Sequence, residues 1–399
     1  MTLLWPAAVV ASLIGVGPGP AADSLPGSWR AVLDLAGGAL PFSLTLTRGR
    51  PGLTGRICNG LSCTDLSGVV AQGDSVVFDM ADYAATITVG QRGDSLVGMY
   101  RNVGNRGPRA IPFRASRGSW PISKAPATLL GSWDATFVTD GRKSPRVFEF
   151  RNGPQGLEAS FQANSGDYGL FSGRASADSF VVAHFDGSFV YLAAGRLDGD
   201  TLRGVFNAGV RTRTPFTAVR STGRSHLIAP TELTRADTVN PFRFSFPDLA
   251  GAMVSNGDPR FRGKVVLIDV FGTWCPTCHD AAPTLVDLHR EFHAKGLEVI
   301  GLAYEVSGDS ATDNRMIRRF RDKFKIPYLL LRGGLNDVEA TAATLPQLTG
   351  FTAYPTSIFI GRDGRVKQVY AGFRGPATGA QYERQIAEMR ETVKRLLAQ

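Results

Sequence analysis

The sequence predicts a multidomain chain: two tandem antiparallel β units, each barrel- or sandwich-like, followed by an α/β layered domain. Three observations carry this reading. First, a pattern repeats at about a hundred residues. Gly27-Ser28-Trp29 recurs as Gly131-Ser132-Trp133, Leu66-Ser67-Gly68 as Phe171-Ser172-Gly173, Asp94 to Tyr100 as Asp200 to Phe206, and Pro112-Phe113 as Pro215-Phe216, at offsets of 104, 105, 106 and 103 residues. Second, the repeated region alternates apolar and polar residues, as in Phe42, Leu44 and Leu46 between Ser43, Thr45 and Thr47; that is the period of a half-buried strand. Third, from Lys264 onward apolar strands alternate with amphipathic helical stretches, the pattern of a layered α/β domain.

The expected divisions are a signal peptide at 1–22, β units at 23–120 and 121–222, a polar linker at 223–240, and the α/β domain at 241–399. A chain of 399 residues, 43% hydrophobic, has enough material for a core in each unit. Its net charge of +9 comes from scattered Lys and Arg. No basic run interleaved with aromatics appears, so a nucleic-acid partner is not expected. Leu3 to Val16 is apolar and leads into Gly-Pro-Gly-Pro-Ala-Ala, with a cleavage point expected near Ala22. The stretch is short for a membrane span, no Lys or Arg precedes it, and no cysteine follows it for lipid attachment. An uncleaved anchor is the alternative. The four cysteines form two close pairs, Cys58/Cys63 and Cys275/Cys278, which suits an exported protein of the periplasm or cell envelope.

Within the β units, turn signals such as Asn59-Gly60, Arg92-Gly93-Asp94 and Asp198-Gly199-Asp200 punctuate the strands. The recurring Trp29 and Trp133 are expected to plug one end of each core. Cys58-Asn-Gly-Leu-Ser-Cys63 reads as a hairpin tip closed by a local disulfide, which adds little stability because the loop is so short. A second redox pair or a zinc site shared with another chain are the alternatives, and no further ligands lie nearby at zinc spacing. The β units are candidates to bind an unknown envelope ligand.

The chemistry concentrates in Lys264 to His279. An apolar strand, Val265 to Phe271, is broken by Gly272-Thr273; then come Trp274, Cys275 and Cys278, and a helical pattern with Leu285, Leu288 and Phe292 that stops at Gly296. Two thiols at a helix start are a redox arrangement, since the free N–H groups and dipole there favour thiolate. Cys275 is the expected nucleophile and Cys278 the resolving thiol. Asp269, six positions before Cys275, lies between Ile268 and Val270. Burial would raise its pKa and fit it for proton transfer near neutrality; a solvated strand end is the plain alternative. Glu305 is a second candidate acid. Further elements are expected at Leu297 to Tyr304 (strand), Thr312 to Lys325 (helix), Tyr328 to Leu331 (strand), Leu335 to Leu348 (helix), a hairpin at Ser357–Ile360 and Val366–Tyr370, and a helix at Gln381 to Leu397.

Phe261-Arg-Gly-Lys-Val-Val-Leu-Ile-Asp269, Phe271-Gly-Thr-Trp-Cys-Pro-Thr-Cys278, Pro283 and Tyr354-Pro-Thr-Ser-Ile-Phe-Ile360 together resemble the thioredoxin fold, and more narrowly the TlpA/ResA-like family of exported thiol–disulfide oxidoreductases, over about residues 240–399. The resemblance implies a cis-proline at Pro355 set against the two cysteines. It also implies a Tyr354 backbone that pairs with an extended substrate segment, and a hydrophobic lip shaped by Trp274. Relatives in this group often have Asn at the position of Asp269 and Glu at that of Ala281. This chain has the thioredoxin-type Asp instead, a residue that helps deprotonate the second cysteine. The implied activity is disulfide exchange with protein thiols, more as a reductase recharged by a membrane donor, with no cofactor beyond the Cys275–Cys278 disulfide and no metal.

Rival readings remain. Cys275, Cys278 and His279 also fit the haem-attachment spacing Cys-x-x-Cys-His, while the plain place for His279 is a helix surface. A thiol peroxidase needs Pro seven positions and Thr or Ser three positions before its reactive Cys, where this chain has Ile268 and Gly272. A binding protein built on the β units, with the C-terminal domain a passenger, is the non-enzymatic alternative. His289 and His293 share a helix face and are expected in solvent rather than on a metal.

Overall fold

A computed structural model describes residues 24–50, 52–104, 107–224 and 226–399; the apolar stretch read as a signal peptide lies outside them. The first β unit is a nine-stranded antiparallel sheet from Gly27–Leu35 to Gly107–Arg117, in which the first strand pairs with the last. Its two edges, Ser62–Asp65 and Gly68–Gln72, are consecutive in the chain but unpaired with each other, so the sheet curls around its core without closing. The second unit, Gly131–Thr139 to Thr212–Arg220, closes as an eight-stranded barrel.

The repeated residues occupy equivalent places. Trp29 pairs with Arg117 across the seam of the first unit, and Trp133 with Arg220 across the seam of the second. Both tryptophans are buried. Each indole N–H donates to the backbone four residues earlier, Trp29 to Leu25 O at 3.0 Å and Trp133 to Leu129 O at 2.9 Å. Each ring lies under the guanidinium of its partner arginine, at 3.9 Å and 4.0 Å, a cation–π contact. The second barrel is filled by phenylalanine rings: Phe148 stacks on Phe161 at 4.0 Å, and Phe161 on Phe171 at 4.5 Å. Its interior is a packed core. The Cys58–Cys63 disulfide closes a hairpin at the Asn59-Gly60 turn, where Gly60 takes φ +58°; the second unit has no cysteines.

The C-terminal domain is a five-stranded sheet in the order Leu329–Leu335, Leu297–Glu305, Val265–Phe271, Thr356–Ile360, Val366–Ala371. The first three are parallel, Thr356–Ile360 runs antiparallel to the centre, and Val366–Ala371 runs antiparallel to Thr356–Ile360. All seven residues of the central strand are buried, as a run that is apolar but for Asp269 requires in a sheet covered on both faces. Period-two alternation divides them. Val265, Leu267 and Phe271 pack with the helices Pro276–Phe292, Ser310–Phe324 and Ala380–Leu397. Val266, Ile268 and Val270 pack on the other side against Phe242, Phe244 and Phe246. Asp269 is in register with the first set, on the face of the active-site helix.

Two local readings are adjusted. The helix expected over Leu335–Leu348 spans only Val338–Thr344, because the preceding strand runs through Leu335 and Asp337 caps the helix by accepting from Ala340 N–H at 2.8 Å. Part of the stretch read as linker, Arg235–Ala236, pairs with Leu348–Thr349, so the chain joins the C-terminal domain before Pro241. The domain also docks on both β units. Asp82 of the first unit bonds Arg319 and Lys323 of helix Ser310–Phe324, each at 2.7 Å. Asp167 of the barrel accepts the Gly375 N–H at 2.6 Å.

Candidate active site

The two thiols stand where the central strand hands over to the helix Pro276–Phe292. Cys275 is the N-cap with extended backbone, and Pro276 takes the first helical position, where its missing N–H costs nothing. The Cys278 N–H donates to Cys275 Sγ at 3.3 Å. Both cysteines are unpaired thiols in this structure and both are buried. The Cys275 thiol points to the Tyr354 carbonyl at 3.7 Å, next to the Tyr354–Pro355 peptide, which is cis. Trp274 lies beside them with its indole N–H on Tyr304 O at 2.8 Å and its ring 5.5 Å from that of Tyr354. Thus Cys275, Cys278, Trp274, Tyr354 and Pro355 meet at one place, whereas the Cys58–Cys63 disulfide belongs to the first β unit.

Asp269 lies under this cluster. It is 4% exposed, and burial pushes its carboxyl up to about 7 despite a hydrogen bond from Ser357 Oγ at 3.4 Å. Burial, then Cys275, then the charge of Asp269 push the Cys278 thiol well up. Cys278 therefore needs a proton acceptor, and Asp269 titrates in the range to be one. Ser357 was not singled out from sequence. Its signal is a hydroxyl that, after Thr356, leads into the apolar run Ile358-Phe359-Ile360, and it stands opposite Asp269 in register.

Glu305 is held differently. Its carboxylate accepts the Thr273 N–H at 2.9 Å and the Thr273 Oγ–H at 2.7 Å. Burial pushes it up to about 8 against those bonds. It fixes the loop two residues before Cys275. His279 departs from its plain reading as a surface position, for it is 8% exposed. Its Nε2–H donates to Thr273 O at 2.7 Å, its Nδ1 accepts from the Lys323 ammonium at 3.2 Å, and Tyr83 of the first β unit packs on it at 4.8 Å. Burial and the Lys323 charge pull it down to about 4, so it is a neutral imidazole. Distant elements bury it, which a single helix pattern does not reveal. At the far end of the same helix, His289 and His293 stack at 4.5 Å, away from the thiols.

Residues 235–386 match the Redoxin family. The thiol-disulfide oxidoreductase ResA of Bacillus thuringiensis subsp. konkukian is 31% identical over 129 residues, 32% of this chain and 66% of that protein. ResA of Halalkalibacterium halodurans is 25% identical over 171 residues, 43% of this chain and 84% of that protein. A solved thioredoxin-family thiol:disulfide interchange protein of Chlorobium tepidum aligns with 41% of this chain and 99% of its own, at 22% identity and a TM-score of 0.30. The chain thus spans just under two thirds of the first relative's length. Its C-terminal domain matches the Redoxin family over residues 235–386 and is similar to ResA thiol–disulfide oxidoreductases, and the two β units precede that match.

Proposed function

We propose that this protein is an exported thiol–disulfide oxidoreductase that exchanges disulfides with protein substrates through Cys275 and Cys278, more as a reductase than as an oxidant. The observation that carries the reading is the arrangement of both reduced thiols at the helix start, with Asp269 buried on the same face. Cys275 thiolate attacks a substrate disulfide, forming a mixed disulfide and releasing one substrate thiolate. Asp269 takes the Cys278 proton. Cys278 then attacks Cys275 Sγ, closing the Cys275–Cys278 disulfide and releasing the second substrate thiolate. Two electrons pass from the cysteine pair to the substrate, and an external thiol donor, in the membrane on this reading, restores the pair. Trp274 and Tyr354 border the site on the substrate side. The exchange needs no cofactor beyond the cysteine pair.

The engagement of both His279 nitrogens supports exchange over haem attachment. The apolar leader stretch and the Cys58–Cys63 disulfide support export to the periplasm or cell envelope. The packed interior of the second barrel supports reading its outer surface as the place for any envelope ligand. Insulin reduction with a thiol donor tests the activity: Cys275→Ser abolishes it, and Cys278→Ser accumulates a mixed disulfide on Cys275. Full activity in Cys275→Ser contradicts the assignment. The reduction potential of the pair decides the direction.

A further inference from the structure

Reactive cysteines are usually partly exposed, yet Cys275 is 3% exposed. The second barrel reaches the peptide next to it. Its turn at Asp186–Phe189, between strands Ser179–Phe185 and Val190–Asp198, sits on the Trp274–Cys275 peptide, and the Ser188 hydroxyl donates to Trp274 O at 2.8 Å.

The turn is braced from several sides. Asp186 Oδ1 accepts the N–H groups of Ser188 and Phe189, at 2.8 and 2.7 Å. The first β unit holds its two carbonyls: Tyr100 O–H donates to Gly187 O at 3.0 Å, and Arg109 Nη2 to Ser188 O at 2.8 Å. Gly187 takes φ +103°, and a Cβ there would meet Met80 Sδ and Tyr83 Cδ2, both at 3.1 Å. The positive φ favours glycine here, and a Cβ would press on both side chains. Both β units thus build one element against the Trp274–Cys275 peptide.

Two openings flank it. A cleft of about 700 Å³ reaches Pro276 and Thr277, and one of about 210 Å³ reaches Trp274; Phe189 borders both. Attack on a disulfide requires a substrate sulfur to come to Cys275 Sγ; the clefts end at the residues on either side of it, Pro276 and Trp274.

We infer that the cleft between the two β units and the active-site helix is the substrate-entry site, and that the Asp186–Phe189 turn restricts it to a cysteine or disulfide carried on a slender, unfolded peptide segment. The inference rests on the exchange activity proposed above. A disulfide embedded in a folded surface meets the barrel before it meets Cys275. An extended segment is narrow enough to pass beside Phe189. Ser188 and Phe189 are positioning and selectivity residues and take no part in the sulfur chemistry.

The test labels the reduced full-length protein with N-ethylmaleimide and with a maleimide carried on a folded protein, reading modification of Cys275 by mass spectrometry. The two reagents share one chemistry and differ in bulk. In the wild type the bulky reagent lags the small one well beyond their ratio on a free cysteine peptide. Phe189→Ala removes most of the lag, and Ser188→Ala or Tyr100→Phe, each deleting one hydrogen bond to the turn, narrows it by about fivefold. In parallel, the wild type reduces a disulfide-linked unfolded peptide and spares the same disulfide in a folded protein, whereas Phe189→Ala reduces both. An equal bulky-to-small ratio in the wild type and all three variants overturns the inference. Loss of turnover on every disulfide with the labelling differences intact sinks the exchange reading instead and leaves the steric restriction standing.

Discussion

Asp269 and Glu305 stand on adjacent parallel strands, both almost wholly buried, and burial lifts both carboxyls into the neutral range, to about 7 and about 8. Their surroundings differ. Asp269 has one long hydrogen bond, from Ser357, and the raised thiol of Cys278 close by. Glu305 has both oxygens taken by Thr273. A buried acid with both oxygens tied to one residue holds a loop. A buried acid left nearly unfilled beside a second titratable group can exchange a proton with it. Burial sets the pKa range in both cases, and the partners decide the use.

That contrast sets the order of expected effects. Asp269→Asn removes the acceptor for the Cys278 proton and keeps the volume; insulin reduction at neutral pH is expected to fall by about a hundredfold, read as initial rates. Glu305→Gln keeps acceptors and donors for Thr273 and leaves the exchange rate near that of the wild type. Its effect is on stability against pH. A buried acid with a raised folded pKa keeps a proton that the unfolded chain has released, so stability falls as pH rises from about 4.5 to about 8 for Glu305. Thermal unfolding of Glu305→Gln across that window is expected to show a shallower decline than the wild type. Thr273→Val removes one of the two donors to Glu305 and costs about 1 kcal/mol, measured by denaturant unfolding, with little change in rate. A large loss of exchange in either of the last two variants would erase the distinction.

The sequence made some of this visible and hid the rest for a physical reason. Cys275, Cys278 and Asp269 sit within ten residues, where strand and helix periods locate them directly. The β repeat was legible because Gly-Ser-Trp and its partners recur at nearly constant offset. Closure of the second unit and not the first was not legible: it depends on which edges pair, and the edges Ser62–Asp65 and Gly68–Gln72 look like any other short strands. Thr273–Glu305, His279–Lys323 and Ser188–Trp274 join residues 32, 44 and 86 positions apart. Their side chains carry no local periodicity that announces the partner. His279 was misplaced for that reason, since Tyr83 and helix Ser310–Phe324 supply its burial from outside its own helix.

The central claim is that Asp269 carries the proton of Cys278. The most direct measurement is the pH dependence of the resolving step, followed in a single turnover as release of the second substrate thiol from the mixed disulfide on Cys275. In the wild type this rate should rise with pH through about 7, where Asp269 ionises, and then level off. In Asp269→Asn the rise near 7 should vanish, leaving a slower rate that climbs only at higher pH. Superimposable profiles for the two proteins would contradict the assignment.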